Sequence, residues 1–425
     1  MKSSIDFDIA IIGLGYVGIP LAMKFVMSGK TVVGIDLDSE KCKSINKGIS
    51  GLSHIENYKI SEMLERGFYA SCDFENISRS KAIIFCVPTP LDNNRNPDLS
   101  FILSAMNCSL PFLRSQQLIS LESTTFPGTT SEVLLPIIES AGFKVGKNIF
   151  LIYSPEREDP GNKEFHLSNT PKLVGGITKN CLKKGIELYE NIVEQVISVS
   201  STEIAEMSKL FENIFRMVNI GLVNEMKIVC DSMDIDINEV IDAAATKPFG
   251  FMPFRPGPGL GGHCIPIDPY YLSWRAKEFG ITPKFIELAG EININMPSFV
   301  VSKVMSVVSK IKKPVCDIKV LVLGVSYKKN VDDARESPSS VILDLLSKHQ
   351  FKISYSDPFI TSYKIRSLPR ILKSKKITPK LIKDHDLTIL LTDHDAFNYS
   401  LIFEHSKLII DTRNKFQRHS KVITA

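Results

Sequence analysis

The feature that most constrains this chain is a glycine-rich turn that follows a short apolar segment and opens a helical pattern. The segment 8–12 is rich in isoleucine, which predicts a buried strand. Residues 13–18 read Gly-Leu-Gly-Tyr-Val-Gly, and Asp36 ends the next predicted strand, 31–35. Glycines at this spacing let the backbone approach a pyrophosphate at a helix N-terminus, and the acid binds a ribose diol. The pattern predicts a dinucleotide site that prefers NAD to NADP.

Two alternating regions flank a helical region in the predicted order of elements. Before residue 200, short strands alternate with helices, which is typical of a parallel sheet covered on both faces. Residues 202–245 are mostly helical, with Ser200 and Glu203 as a predicted capping box at the start. A second alternating unit begins at Ile318. The sequence therefore predicts an α/β fold with two Rossmann-like doubly wound domains joined by a central helical domain that contains a long helix. The other predicted strands cover residues 82–87, 118–121, 149–153, 172–175, 319–324, 352–356, 387–391 and 407–411.

Composition narrows the class of protein. Hydrophobic residues make up 44% of the 425 residues, which supplies sizeable cores and excludes a mainly disordered chain. The net charge of +4 gives no indication of nucleic-acid binding, and the apolar run 9–23 is too short to span a membrane. Eight scattered cysteines without a CxxC pair favour reduced thiols, so we expect a cytoplasmic protein.

Cys264 is the most suggestive single residue. It follows Gly261-Gly262-His263, and a thiol in a glycine-rich loop is open to close approach by a substrate. The alternative is a small buried hydrophobic residue, the usual role of a free cysteine. A metal site is not predicted, because no second ligand pair stands at zinc spacing.

Polar residues also mark a helix face and two strand ends. Lys209 and Asn213 share a face of the long helix, which Glu206 and Arg216 extend. This stripe fits either a polar cavity or a surface ladder of ion pairs. Glu156 and Thr124 each follow a predicted strand, where active sites form in parallel sheets. The alternatives are a charged loop at Glu156 and a helix cap at Thr124.

A second candidate phosphate site lies in the later α/β unit. Gly324 ends a predicted strand, and Lys328 and Lys329 follow it closely. Cations at the carboxyl edge of a sheet suit an anionic phosphate. The alternative is an ordinary loop with solvated lysines.

Seven ordered motifs resemble the UDP-glucose/GDP-mannose dehydrogenase family over nearly the whole chain. They are GLGYVGIPLA near the start, CVPTP at 86–90, ESTTFPGTT at 122–130, YSPEREDPGN at 153–162, EMSKLFENIF at 206–215, GPGLGGHCIPIDPYYL at 257–272 and LGVSYKKNVDDARESPS at 323–339. The resemblance implies an NAD-binding domain over 1–200, a central helical dimerisation domain over 201–311 and a UDP-binding domain over 312–425. It implies a homodimer and a UDP-sugar substrate.

The same resemblance implies an oxidation of the sugar C6 alcohol to a carboxylate in two steps that reduce two NAD⁺. Cys264 matches the nucleophile that forms a thiohemiacetal and then a thioester. Lys209 and Asn213 match groups that stabilise oxyanion charge. Asp268 matches an acid that positions water or shares a proton. Glu156 is a candidate base for the hydrolysis of the thioester.

The remaining contacts implied by the resemblance concern ligand binding. Cofactor contacts are expected at Gly13, Gly15, Tyr16, Val17, Gly18, Asp36, Pro88, Thr89 and Thr124. Substrate contacts are expected at Glu156, Lys209, Asn213, Arg255, Gly261, Lys328 and Arg335.

The substrate is the least determined part of the resemblance. The motifs YSPEREDPGN and AATKPFGFMPF are similar to those of the family branch that oxidises UDP-N-acetylglucosamine. The product of that branch supplies bacterial surface polysaccharides such as capsule and lipopolysaccharide. UDP-N-acetylmannosamine, UDP-N-acetylgalactosamine, UDP-glucose and GDP-mannose stay open as alternatives. The UDP-glucose enzymes commonly carry a second glutamate where this chain has Pro160, so the hydrolytic role of Glu156 is not fixed. A third possibility is an NAD-binding scaffold without catalysis.

Overall fold

The computed structural model describes residues 6–52, 55–92, 94–157, 168–262 and 265–425. Contacts divide the chain into two compact units. The first unit comprises Met1–Glu212 and Tyr270–Ile281, and the second comprises Asn213–Pro269 and Thr282–Ala425. The domain boundaries that the sequence places after residues 200 and 311 stay a prediction.

The strands confirm the alternating pattern and add elements that the sequence analysis missed. In chain order, the strands found in the described residues are β1 Phe7–Ile12, β2 Val32–Ile35, β3 Phe68–Ser71, β4 Ser80–Phe85, β5 Leu118–Leu121, β6 Phe150–Tyr153, β7 Lys172–Gly176, β8 Val196–Val199, β9 Lys319–Leu323, β10 Lys352–Ser356, β11 Ser362–Lys364, β12 Ile371–Lys373, β13 Leu387–Leu390, β14 Ile409–Asp411 and β15 Val422–Thr424. The strand expected at 82–87 begins and ends two residues earlier. The strands β3, β8 and β15 and the β11–β12 hairpin were not predicted.

Strands β1 to β8 form the sheet of the first unit, in the order β3-β2-β1-β4-β5-β6-β7-β8. Strands β1 to β6 are parallel, and their order is that of a dinucleotide-binding sheet. β7 runs antiparallel to β6, and β8 is parallel to β7. The strand order reverses between β1 and β4, so the crevice at their carboxyl ends is the place for a ligand.

The second unit holds a sheet of the order β10-β9-β13-β14-β15, in which the paired strands are parallel, and the small β11–β12 hairpin. Strands β9 and β13 are buried along most of their length, as the sides of a covered parallel sheet require. The order again places a reversal point, here between β9 and β13. The predicted α/β class with two Rossmann-like sheets is confirmed.

A long helix confirms the helical region. In chain order, the helices of the described residues are α1 Gly18–Met27, α2 Ser39–Asn46, α3 Asn57–Glu65, α4 Ser100–Ser109, α5 Leu135–Ser140, α6 Lys179–Tyr189, α7 Thr202–Ser232, α8 Ile237–Ala245, α9 Asp268–Glu278, α10 Lys284–Val308, α11 Pro338–Lys348, α12 Pro379–Lys383 and α13 Tyr399–His405. The predicted cap of α7 is wrong by one residue. Ser201 accepts the Ile204 N–H at 3.3 Å, and Ser131 donates to the carboxylate of Glu203.

Candidate active site

The glycine turn after β1 lies in the crevice at the reversal point of the first sheet. Gly13 has φ +98°, and a Cβ there would lie 2.6 Å from the carbonyl oxygen of Cys86, which follows β4. A Cβ on Gly18 would lie 1.8 Å from the carbonyl oxygen of Gly13. No heavy atom lies within 4 Å of a Cβ built on Gly15 among the described residues. Two glycines are therefore required by the turn itself, and the third leaves open space for a ligand.

Asp36 stands beside this turn, directly after β2. Its carboxylate accepts the Leu14 N–H at 2.9 Å and the Lys41 ammonium at 2.8 Å. Burial raises the pKa of Asp36, but the hydrogen bonds from Lys41, Asp38 and Leu14 outweigh it and hold the pKa below its ordinary value. The side chain is 13% exposed and ionised, as a ribose-binding acid requires. The residues present fit a dinucleotide with a free ribose diol.

The other predicted cofactor contacts border the same crevice. Tyr16 and Val17 are half-buried in the glycine turn, and Pro88 and Thr89 lie in the loop after β4, with Pro88 exposed. Thr124, half-buried, follows β5 on the next strand. Strands β1, β4 and β5 are neighbours, so these loops leave the sheet at one edge.

Lys209 and Glu156 are brought together within the first unit. Lys209 lies on α7, and its side chain is buried to 8% exposure. Its ammonium donates to the backbone carbonyl of Glu156 at 2.5 Å. Glu156 follows β6, and its Oε1 accepts the Arg157 N–H at 2.7 Å. The surface-ladder interpretation of the α7 stripe is therefore wrong at Lys209.

The stripe also contains a residue whose role the sequence analysis missed. Glu206 on α7 is fully buried, and its two carboxylate oxygens accept the N–H groups of Gly128 and Thr130 at 2.7 and 2.9 Å and the Thr130 hydroxyl. Glu206 thus fixes the turn that follows Thr124. Burial outweighs these bonds and raises the pKa of Glu206 to about 7. No local sequence pattern points to these partners, which lie more than 70 residues away.

Asn213 and Asp268 meet within the second unit. The Asn213 amide donates to Asp268 Oδ2 at 2.5 Å, and both side chains are buried. Asn213 is one helical turn after Lys209 on α7, as the spacing predicted. The predicted nucleophile Cys264 lies outside the described residues. Gly261 lies three residues before Cys264. It packs on the loop that follows β9, because a Cβ on Gly261 would lie 2.8 Å from the Cβ of Tyr327.

The loop after β9 carries the predicted phosphate residues Lys328 and Arg335. Lys328 is half-buried. The exposed guanidinium of Arg335 forks onto the Asp333 carboxylate, with Nη2 to Oδ2 at 2.7 Å. Arg335 therefore lies in the expected loop, but its guanidinium is paired with the Asp333 carboxylate.

Arg255 also has an acidic partner. It is paired with Asp242 and donates to the backbone carbonyl of Asn238 at 3.2 Å. It lines a cavity of about 190 Å³ in the second unit together with the buried Lys227 and the half-buried Arg413. Neither of these two cations was predicted.

Comparison with known proteins identifies the group to which these features belong. Family models of the UDP-glucose/GDP-mannose dehydrogenase family match the NAD binding domain at residues 7–193, the central domain at 203–295 and the UDP binding domain at 321–418. The chain belongs to this family. It is therefore an NAD-dependent enzyme that oxidises a UDP-sugar, and the predicted NAD cofactor is confirmed.

Relatives of this dehydrogenase differ in the sugar that they act on. The chain is 34% identical to the UDP-N-acetyl-D-glucosamine 6-dehydrogenase of Pseudomonas aeruginosa, over 84% of each chain. It is also 34% identical to the UDP-N-acetyl-D-mannosamine dehydrogenase of Methanococcus vannielii, over 96% of this chain and 92% of the relative. The solved UDP-D-ManNAc dehydrogenase of Pyrococcus horikoshii has a TM-score of 0.86 and 32% identity, over 97% and 96% of the two chains.

Membrane insertion through a helix has no support in the described residues, where every helix is too short or too polar to cross a bilayer.

Proposed function

We propose that the enzyme oxidises C6 of UDP-N-acetyl-D-glucosamine to the carboxylate of UDP-N-acetyl-D-glucosaminuronate. The overall reaction consumes two NAD⁺ and one water and releases two NADH for each uronate. Bound NAD supplies the hydride acceptor in both oxidations. The turn at 13–18 and Asp36 hold this cofactor, and the family's UDP binding domain agrees with a nucleotide-sugar substrate.

The chain's own residues carry the steps at C6. Cys264 attacks the aldehyde carbon to form a thiohemiacetal, whose oxidation leaves a thioester on the same sulfur. The Lys209 ammonium and the Asn213 amide stabilise the oxyanion that develops on the sugar oxygen. Asp268 orients Asn213 through their hydrogen bond. Glu156 removes a proton from the water that hydrolyses the thioester.

The observation that carries this proposal is the contact between Lys209 and Glu156. A buried ammonium on a long helix is costly unless it is paired, because charge loses its hydration when buried. Here it meets the strand-end loop that carries the candidate base, at 2.5 Å from the Glu156 carbonyl. Residues 53 positions apart in the sequence, both expected in one active site, are thus adjacent. A scaffold without catalysis does not require this contact.

UDP-N-acetyl-D-mannosamine is the second candidate substrate. UDP-N-acetyl-D-mannosamine dehydrogenases match this chain at 34% and 32% identity, and UDP-N-acetyl-D-glucosamine 6-dehydrogenases match it at the same two values. The glucosamine proposal rests on the motifs YSPEREDPGN and AATKPFGFMPF. The two sugars differ only in the configuration at C2, so the decision depends on contacts to the acetamido group.

A substrate panel tests the proposal. We expect NADH formation with UDP-N-acetyl-D-glucosamine, two NADH for each product, and a product mass that corresponds to the uronate. The matched control is Cys264→Ser, which should bind the nucleotide sugar and form no uronate. Turnover of the mannosamine epimer alone would transfer the proposal to that sugar, and NADH production with none of the panel would contradict it.

We further propose that the enzyme is a cytoplasmic homodimer that serves surface polysaccharide synthesis. Exposed apolar residues follow one another along α7 at steps of three, four or seven residues, which is the pattern of a helix that packs on another helix. The members on this face in the second unit are Phe215, Leu222, Met226 and Val229. Leu222→Glu should lower the mass in sedimentation equilibrium from that of a dimer to that of one chain. An unchanged dimer would contradict this assignment.

A further inference from the structure

A buried ion network lies behind Glu156 in the first unit. Lys172, the first residue of β7, is 3% exposed, and its ammonium donates to Glu122 Oε2 at 2.7 Å. The same ammonium lies 3.5 Å from Glu156 Oε2 and 3.4 Å from the backbone carbonyl of Pro155. One buried cation therefore stands between two carboxylates, of which one is the candidate base.

The far side of this network is fixed. Glu122 follows β5 and is fully buried, at 0% exposure. The Tyr189 hydroxyl, at the end of α6, donates to Glu122 Oε1 at 2.5 Å and lies 2.8 Å from the Ser120 hydroxyl. Both oxygens of Glu122 are thus occupied by groups on rigid elements, so the position of the Lys172 ammonium is fixed as well.

The charges and exposures of these side chains distinguish the fixed Lys172 ammonium from the more exposed Glu156 carboxylate. Burial lowers the pKa of Lys172, but the attraction of Glu122 and Glu156 outweighs it and raises the pKa, so the amine is charged. Burial raises the pKa of the Cys86 thiol, which lies near both acids, so this neighbour adds no charge at neutral pH. Glu156 is 13% exposed, the most open of the three ionic side chains. It is the member of the network that water reaches.

We infer that Lys172 is a positioning residue that orients the Glu156 carboxylate for the hydrolysis of the thioester on Cys264. The inference rests on the proposed function. In this step, water forms the new C–O bond and gives a proton to Glu156. The C–S bond breaks, and its electron pair leaves with the sulfur as a thiolate. The Lys172 ammonium lies 3.5 Å from Oε2 of Glu156, and the Arg157 N–H donates to Oε1 of Glu156. These two contacts fix the orientation of the carboxylate.

The loss of Lys172 should slow hydrolysis and leave the earlier steps intact. Misplacement of a catalytic group by about 1 Å costs roughly 100-fold, so we expect a comparable fall in kcat for Lys172→Met. Rapid mixing should then show a burst of two NADH for each active site, followed by slow turnover. KM for NAD⁺ should stay within about twofold, since none of the network's hydrogen bonds among the described residues reaches the turn at 13–18.

Two further variants keep the test decisive if Lys172→Met fails to fold. The double variant Glu122→Gln/Lys172→Met leaves no buried carboxylate without its cation, and it should show the same burst. Glu122→Gln alone keeps the ammonium and removes one of its acids, so Lys172 attracts Glu156 more strongly. This variant should therefore hydrolyse the thioester faster than Lys172→Met does, and its burst should be smaller or absent. Lys184→Met, on the exposed face of α6, is the matched control and should behave as the wild type.

The outcomes separate this inference from the function on which it rests. If the wild type forms uronate but a folded Lys172 variant turns over at the wild-type rate without a burst, the positioning role is overturned. A Glu122→Gln variant that turns over as slowly as Lys172→Met overturns it as well. If the wild type forms no uronate with any nucleotide sugar, the proposed function fails first, and the inference fails with it.

Discussion

The two parallel sheets of this chain build the same strand–glycine–acid arrangement for different purposes. In the first sheet, Gly13 follows β1, and Asp36, after β2, accepts the Leu14 N–H at 2.9 Å. In the second, Gly324 follows β9, and Asp357, after β10, accepts the Val325 N–H at 2.7 Å. Both glycines have positive φ, of +98° and +76°. The backbone geometry of the two turns is therefore closely similar.

The difference lies in what covers the acid. The Asp36 side chain is 13% exposed, whereas that of Asp357 is 0% exposed and lies 3.1 Å from His394 Nε2. The Asn330 N–H donates to His394 Nδ1 at 2.9 Å, so the proton of the neutral ring lies on Nε2 and faces Asp357. A ribose cannot reach this acid. Asp357 and His394 instead hold the loop that carries Lys328.

A dinucleotide site therefore requires an accessible acid beside a short glycine turn, and the turn alone is not sufficient. Helix α1 begins at Gly18, directly after the first turn, whereas α11 begins only at Pro338. The loop after β9 is longer and carries Lys328 and Lys329, whereas the turn after β1 leads directly into the N-terminus of α1.

Gly18→Ala should have the largest effect. Its Cβ would lie 1.8 Å from the Gly13 carbonyl oxygen, which is backbone and cannot yield. We expect a loss of about 4 kcal/mol in the free energy of unfolding, measured by chemical denaturation. The matched variant Gly15→Ala, whose Cβ meets open space, should keep the stability and weaken NAD binding in calorimetry. Equal stability of the two variants would contradict the close packing of the first turn.

The two units should also differ in their pH response. The pKa of Glu206 is raised from 4.5 to about 7, so between these values the folded state binds more protons than the unfolded state. Stability from this group is therefore present below about pH 4.5 and is lost as pH rises through 7, by roughly 3 kcal/mol. Asp357 has a lowered pKa, because the hydrogen bonds from His394 and Val325 outweigh burial, and it loses its contribution only in strong acid.

Trp274 makes this prediction measurable in the first unit. It is the single tryptophan of the chain, and its ring lies 4.9 Å from that of Phe126 in the turn that Glu206 holds. Denaturation followed by its fluorescence should show that the wild type loses stability relative to Glu206→Gln between pH 5 and pH 8. Parallel stability curves for the two proteins would rule out a titrating Glu206.

Substitution of each acid by its amide tests the difference between Asp36 and Asp357. Asp36→Asn should raise the Kd for NAD by about 30-fold, since a hydrogen bond to a charged group contributes about 2 kcal/mol. Asp357→Asn should leave NAD binding unchanged and lower the free energy of unfolding by about 2 kcal/mol, because a buried amide cannot accept all of the same N–H bonds. Calorimetry with NAD and chemical denaturation measure the two effects. A weaker NAD affinity in Asp357→Asn would show that the second acid is not purely structural.

Lys328→Gln should have the smallest effect. The loss of one partly exposed charge on a phosphate should raise the Kd for UDP by about tenfold and leave that for NAD unchanged. Lys329→Gln is the matched control, because Lys329 is exposed and pairs with Asp395 at 3.5 Å. Equal effects of the two changes would mean that the loop contributes only general positive charge.

Local signals made the first turn predictable. The strand β1, the glycines and Asp36 lie within 30 residues, and each has a steric or electrostatic reason that the sequence displays. Asn213 and Lys209 were placed on one helix face by spacing alone. Strands β3 and β8 were missed because their apolar patterns are weak: exposed Tyr69 interrupts β3, and β8 is mostly half-buried.

The remaining site residues depend on contacts between distant parts of the chain. Glu206 looked like part of a surface stripe until Gly128 and Thr130 appeared beside it. Lys172 meets Glu122 across 50 residues, and His394 meets Asp357 across 37. No local sequence pattern predicts such a pairing, because the tertiary fold determines which charged side chains are buried.

The most direct test of the account is the chemistry at Cys264. Rapid quenching of the enzyme with UDP-N-acetyl-D-glucosamine and NAD⁺, followed by mass analysis of the peptide that contains Cys264, should reveal the uronyl thioester on this cysteine. The adduct should appear with the second NADH and decay as uronate forms. Uronate production with an unmodified Cys264, or by Cys264→Ser at the wild-type rate, would contradict the account.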